Sequence, residues 1–275
     1  DPIVNVASVI LPSNYFQSTT TNNADTATDA DTVTLASVGD RVWSDDNNNG
    51  VQDAGELGVA NVVVTLYSSS SAIVATTTTS ATGTYLFDNL IPGTYSIGFS
   101  SLPATTTLST QNVGASTTID SDASVLTGFT PSFTLVSDEH NMSIDAGIVT
   151  LGSLGDTVWF DRNLDGHRDA TTTEPGLQSV QVNLYNASNT LIATTTTDSN
   201  GNYMFTNLPV NFTYTVSVAT NTLPVWAYIV TGTATSTDNS TNDYGHGVAA
   251  TATLSTSTIQ NLNLDFGFSA TGTVG

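Results

Sequence analysis

The residues best suited to chemistry sit in two short loops. In the first, "DDNNNGVQDAGE" over residues 45–56, the oxygen-bearing side chains Asp45, Asn47, Asn49, Asp53 and Glu56 occupy positions 1, 3, 5, 9 and 12. Gly50 stands at position 6 and Val51 at position 7. That is the ligand register of a calcium loop of the EF-hand kind. Alternate side-chain oxygens converge on one point, the glycine permits the sharp turn, and residue 7 offers its carbonyl. The closing glutamate supplies two oxygens at about 2.3–2.6 Å. Magnesium fits less well, because it needs a smaller octahedral cage.

The second loop, from residue 161, keeps Asp161, Asn163, Asp165, Gly166, His167 (through its carbonyl) and Asp169 in register. Position 12 is Thr172, and the acid arrives two residues late as Glu174. Either the loop bulges to bring Glu174 in, or water closes the site and the ion is held more weakly. A polar Asn/Asp/Gly turn is the alternative reading of any single loop of this kind. It accounts poorly for one register appearing twice.

Further acids recur near the ends of the two regions: Asp120, Asp122 and Asp145 in one, Asp238, Asp243 and Asp265 in the other. Asp40 and Asp156 precede the tryptophans Trp43 and Trp159. If the last strand of each region lies beside its first, Asp145 meets Asp40 and Asp265 meets Asp156. Such pairs lack basic partners and invite a second cation. Solvated loop acids are the plainer alternative.

The elements around these loops come in two copies. "VGDRVWSDDNNNG" from Val38 matches "LGDTVWFDRNLDG" from Leu154, and "VVVTLYSSSSAIVATTTT" from Val62 matches "VQVNLYNASNTLIATTTT" from Val180. "GTYLFDNL" matches "GNYMFTNL", and "SIDAGIV" matches "NLDFGFS". Within each copy apolar and polar residues alternate: Val180, Val182 and Leu184 against Gln181, Asn183 and Tyr185. Tyr85 and Phe87 share a face opposite Leu86. Threonine and β-branched residues dominate, turn signals punctuate, and no 3.6-residue apolar period is sustained. The pattern predicts an all-β chain of two tandem Ig-like or transthyretin-like antiparallel β-sandwiches, over 38–150 and 151–275, joined by a short hinge at 150–153. Residues 1–37 form an N-terminal strand and tether. "IVNVASVIL", 3–11, is apolar on both faces, as a strand buried between two layers is.

Composition narrows the function. The 275 residues hold 24 acidic and 3 basic side chains, a net charge of -21, with no lysine and no cysteine. The three cations are Arg41, Arg162 and Arg168. A field of that sign repels nucleic acid and anionic membranes and favours cations. Without cysteine there are no disulfides and no thiolate metal sites. No apolar run approaches the length of a membrane span, and residues 1–10 lack a signal-peptide pattern. Asn141, Asn186, Asn211 and Asn239 head glycosylation sequons, which suits an extracellular location. No nucleophile elbow or phosphate loop occurs, and His140, His167 and His246 do not match between copies, so an enzyme is not expected.

Together "GDxVWxDxNxxGxxD", "TTTT", "GxYxFxNL" and "DxG" resemble the B-type repeat domains of serine-aspartate repeat surface adhesins, within the collagen-adhesin B-type, transthyretin-like sandwiches. The resemblance covers residues 38–150 and 154–270. It implies a rigid, calcium-loaded rod of sandwiches on a cell surface. The Lys-to-Asn or Lys-to-Asp isopeptide bond of many relatives is impossible without lysine. "LPATT" at 102–106 lacks the glycine of a sortase signal and reads as a turn. The apolar leader on a tether favours a subunit of an extracellular filament, built from identical copies by strand donation. A leader folded back on the first sandwich, and a stalk that displays an adhesin's binding domain, are the alternatives.

Overall fold

In a computed structural model, residues 34–114, 117–169, 173–231 and 247–270 are described. The leader call, Ile3 to Leu11, and Asp238, Asp243 and Thr172 lie outside them. Among the described residues the regular elements are all strands, apart from one 3-10 turn at Thr220–Thr222.

The first sandwich comprises β1 (Ala36–Ser44), β2 (Val63–Ser68), β3 (Ile73–Thr78), β4 (Thr84–Leu90), β5 (Gly93–Ser100), β6 (Thr106–Leu108), β7 (Phe133–Leu135) and β8 (His140–Asn141). A long strand, β9 (Ala146–Phe160), follows. The second sandwich adds β10 (Gln181–Asn186), β11 (Leu191–Thr196), β12 (Asn202–Pro209), β13 (Thr213–Val218), β14 (Ala227–Thr231), β15 (Ala249–Thr253), β16 (Gln260–Asn261) and β17 (Phe266–Ala270).

One layer of each sandwich is an antiparallel four-stranded sheet of its own, ordered β3-β2-β5-β7 and β11-β10-β13-β15. The opposing layers belong to one nine-stranded sheet that runs through both domains. In that sheet the closing strands run parallel to the opening ones: Ala146 pairs with Val42, and Phe266 with Val158. The expected antiparallel pairing therefore holds in the small sheets, whereas the shared sheet is mixed.

Alternation decides which side chains turn inward. Val64 and Leu66 on β2, and Val182 and Leu184 on β10, are fully buried, and Tyr85 and Phe87 point in while Leu86 is half exposed. The buried residues form two separate cores, one per domain. Each fully buried Val, Leu or Phe contributes about 1.5–3 kcal/mol. Trp43 and Trp159 lie wholly inside, immediately before the two loops. Each bridges to a glycine beyond its loop, Trp43 to Gly58 and Trp159 to Gly176. A Cβ on Gly58 or Gly176 would run into the carbonyl of Thr82 or Asn200, so the chain leaving each loop is pressed against the neighbouring hairpin.

The hinge expected at 150–153 is absent. β9 pairs with β1 and β6 through residues 146–150 and with β12 through 151, 152 and 154–157, with a register shift between Phe205 and Leu208, while Ser153 pairs with β16, so no residue between 146 and 157 lies outside a ladder. Gly152, inside the expected hinge, and Gly155, in the repeated motif that follows it, are both required by packing. A Cβ on either would collide with the carbonyl of Ile259 or of Tyr203.

Candidate metal centre

The first loop leaves β1 and wraps around its own acids. Asp45 is buried, and its carboxylate accepts the amide hydrogens of Asn49 (3.0 Å) and Gly50 (2.8 Å). Asn47 accepts from the Asn49 amide at 3.1 Å, and Asn49 from the Val51 amide at 2.7 Å. Glu56, at the far end, accepts from the amides of Asp46 and Asp53, both at 2.9 Å. Residue 1 thus holds the amides of positions 5 and 6, and residue 12 those of positions 2 and 9. Asn48 and Gly50 adopt left-handed φ values of 53° and 74°, which the tight winding requires.

The second loop reproduces this network with the late acid in place. Asp161 accepts from Leu164 (2.7 Å) and Gly166 (2.8 Å). Glu174 accepts from Arg162 (2.8 Å) and Asp169 (2.8 Å), the same positions 2 and 9. Asp165 accepts from the His167 amide at 2.8 Å. Glu174 accepts the amides equivalent to those that Glu56 accepts and is buried to 1% exposure.

The donor chemistry fits a hard cation. The side-chain amides of Asn47 and Asn49 both donate to one oxygen of Asp53, at 2.7 Å each. That of Asn163 donates to Asp165 (2.9 Å) and Asp169 (3.1 Å). In each loop a partly positive N–H sits where the carboxylates call for positive charge. Turning a carboxamide over exchanges that nitrogen for its oxygen and supplies the ligand the register calls for. Counting His, Asp and Glu alone, no three side chains among the described residues form a ready cage. Loops of this kind draw equally on carboxamides and a backbone carbonyl.

A second acid cluster lies beside the first loop. The parallel pairing of β9 with β1 sets Asp145 next to Arg41, whose amide it accepts at 3.2 Å. Asp122 accepts the Asp145 amide at 2.7 Å, and the Asp145 carbonyl accepts the Asp122 amide at 2.8 Å. Asp145 Oδ2 and Asp120 Oδ1 are buried and without a hydrogen-bond partner. Burial pushes Asp145 up to about 8, with the charges of Asp40 and Asp122 adding to it. Burial likewise takes Asp122 up to about 7 and raises Asp40 and Asp120. The charge of Arg41 offsets burial only at Asp40, while its guanidinium donates to the carbonyls of Thr82 and Glu56. Buried carboxylate oxygens left without donors are what a cation would satisfy. The cluster is tied to the loop: Val51 bridges to Asp120, and the Ser121 amide donates to the Gly50 carbonyl.

The second domain places Asp265 likewise. It is buried and accepts the Thr157 amide at 3.3 Å, while Asp156 accepts the Thr157 hydroxyl at 3.0 Å. Two residues read from the sequence only as core also matter here. The hydroxyls of Tyr85 and Tyr203 donate at 2.6 Å to the carbonyls of Ile144 and Leu264, each immediately before a buried aspartate. The recurrence of tyrosine at the same place of "GxYxFxNL" in both copies is the signal.

The family of domains that matches this chain does so twice, over residues 36–148 and 152–268, under the description SdrD B-like domain. The chain belongs to that family. Its two SdrD B-like domains are similar to part of the serine-aspartate repeat-containing protein C of Staphylococcus aureus. The strain Newman protein is 43% identical and the strain N315 protein 41%, each over 173 residues and 62% of this chain. That stretch is 17% of those relatives, so the chain spans about a sixth of their length. Among solved structures, the minor pilin GBS52 of Streptococcus agalactiae aligns with a TM-score of 0.34 at 11% identity, over 88% of this chain and 98% of that one. The shaft pilin SpaA of Lactobacillus rhamnosus GG aligns at 0.32 and 11%, over 88% and 99%. Likenesses so loose transfer nothing to the SdrD B-like domains. No helix among the described residues is long and apolar enough to cross a membrane.

Proposed function

We propose that the chain is an extracellular structural protein, a calcium-stabilised rod of two SdrD B-like domains that works as a spacer and performs no catalysis. The observation that carries this is the repeated loop network. Glu56 and Glu174 close two loops in the same way, each at the end of a strand of the shared sheet. Calcium held by Asp45, Asn47, Asn49, Asp53 and Glu56, and by Asp161, Asn163, Asp165, Asp169 and Glu174, neutralises acids that have almost no cationic partners in a chain of net charge -21. A second cation in the first domain is held by Asp40, Asp120, Asp122 and Asp145.

The finer reading is a filament subunit assembled head to tail from identical copies, the leader at 3–11 being donated as a strand to a neighbour. Deletion of residues 1–16 tests it: folded, calcium-binding monomers support donation, and undiminished polymerisation excludes it. The chain's match to only a sixth of longer relatives favours a second reading, a stalk within a larger surface protein. Among the sequons, Asn186 sits at the β10–β11 turn and offers a glycan acceptor. The amide of Asn211 is engaged with the Asp46 carbonyl.

Thermal unfolding with and without chelator tests the calcium reading. Binding to the native state alone adds about 2.7 kcal/mol at a hundredfold excess over Kd. A melting temperature unchanged by verified calcium removal overturns it.

A further inference from the structure

The first loop carries a reactive backbone of its own. Asn49 is followed by Gly50, one of two Asn-Gly pairs in the chain, the other being Asn200 and Gly201. At such a pair the glycine nitrogen can reach the asparagine carboxamide, because no side chain on the glycine blocks the approach. Only the first pair lies in a ligand loop, at its positions 5 and 6.

The closed loop holds this pair apart. Gly50 is buried, and its amide donates to Asp45 Oδ2 at 2.8 Å. The Asn49 carboxamide is held at both ends: Oδ1 accepts the Val51 amide and Nδ2 donates to Asp53, each at 2.7 Å. A Cβ on Gly50 would meet the Thr110 carbonyl and the Val113 side chain, and the Gln52 amide donates to the Ile119 carbonyl at 2.6 Å. Bringing the Gly50 nitrogen onto Asn49 Cγ therefore requires the loop to come away from the segment at 110–121. Such local opening is the event that chemistry at a protected backbone group waits for.

The second loop shows that the product fits. Its position 5 is Asp165, followed by Gly166, and Asp165 accepts the His167 amide at 2.8 Å as Asn49 accepts that of Val51. An aspartate at this position thus keeps the turn while changing the charge. Among its ligand positions the first loop has three acids, Asp45, Asp53 and Glu56, whereas the second has four, Asp161, Asp165, Asp169 and Glu174. Ligand charge count is one of the terms that sets the affinity of a calcium loop.

We propose that Asn49 is a site of spontaneous deamidation, gated by opening of the first loop, whose aspartate product gives that loop the acid count of the second. The gate rests on the calcium reading above for what holds the loop shut. In the open loop the Gly50 nitrogen gives up its proton to solvent and attacks Asn49 Cγ. The N–Cγ bond forms, the Cγ–Nδ2 bond breaks, and Nδ2 leaves as ammonia after taking a proton from water. Water then opens the cyclic imide. Cleavage at Cγ leaves an aspartate that can rejoin the loop, and cleavage at the main-chain carbonyl leaves an isoaspartate whose lengthened backbone is out of register. With the aspartate in place, the hydrogen bond to Asp53 gives way to repulsion between carboxylates, so the converted loop needs its cation more and holds it more tightly.

Incubation of the full chain at mildly alkaline pH in calcium, in chelator, and in chelator with urea tests this, with peptic mapping by mass spectrometry to follow Asn49 separately from Asn200. Conversion of Asn49 should be fastest in urea and at least about tenfold slower in calcium than in chelator. By calorimetry, Asn49→Asp should bind calcium several-fold more tightly than the wild type. An Asn49 amide that survives in urea overturns the site, and conversion as fast in calcium as in urea overturns the gate. Rates equal in calcium and chelator, both slower than in urea, would keep closure as the gate and remove calcium from the first loop. An Asn49→Asp variant that is folded by circular dichroism and binds no more tightly than the wild type overturns the gain in affinity.

Discussion

Glu174 stands in its loop where Glu56 stands in the first, although the sequence places it two residues later. Each accepts the amides of the second and ninth loop positions, at 2.8 Å for Glu174 and 2.9 Å for Glu56. Glu56→Gln and Glu174→Gln should therefore weaken calcium binding by similar factors, each through loss of a bidentate acid. Calorimetric titration of the two variants checks this. A tenfold smaller effect at Glu174 would restore the weaker second site that the bare register suggests.

The acid cluster of the first domain should make stability depend on pH without calcium and not with it. In calcium-free protein, Asp122 and Asp145 have folded values of about 7 and about 8, above the ordinary carboxylate value of 3.8. The folded state then holds more protons than the unfolded one between about pH 4 and pH 8. Stability is present in full below that window and is lost as pH rises through it. The melting temperature in chelator should fall from pH 5 to pH 8. In calcium the fall should vanish, and binding at pH 7 should release protons to the buffer. A chelated melting temperature that rises over the same interval contradicts the assignment.

Tyr85→Phe and Tyr203→Phe should each destabilise their own domain by about 1–3 kcal/mol, because a buried carbonyl loses its donor. Calcium affinity should fall as well, since the carbonyls of Ile144 and Leu264 belong to the residues that set Asp145 and Asp265 in place. Denaturant unfolding in calcium and in chelator separates the two effects. Equal destabilisation in both conditions would confine the tyrosines to packing.

The unbroken β9 predicts that the two domains hold one relative orientation. Small-angle scattering should give a single narrow distance distribution. Four Gly/Ser residues inserted between Thr150 and Leu151 should broaden it while leaving both cores folded. A distribution that is already broad in the unmodified chain rules out the rigid joint.

Much of this was legible in the residues. Alternation at Val182 and Leu184 marked strands because burial follows a period of two, and the loop register marked the acids because their spacing is set by the backbone turn. The joint was not legible. Gly152 suggests flexibility in one dimension, and only the approach of the Ile259 carbonyl shows it as a packing residue. The position of Glu174 lay between these cases. Its lateness was visible, whereas the amides at the second and ninth loop positions that Glu174 accepts carry no sequence signature.

The 15-residue strand shared by both domains also fixes how the molecule bears a load. A pull applied along the rod passes from one sandwich to the next through the covalent backbone of β9, with no slack segment to extend first. Because β1, β6, β12 and β17 all lie alongside it, the ladders are loaded in shear, many hydrogen bonds at once, instead of opening one by one from an end. The two acidic loops follow β1 and β9 directly, at Asp45 and Asp161, so an ion held there as proposed sits where a tug on either strand would first have to peel the chain away. On the calcium reading proposed above, resistance to stretching is coupled to the calcium concentration outside the cell.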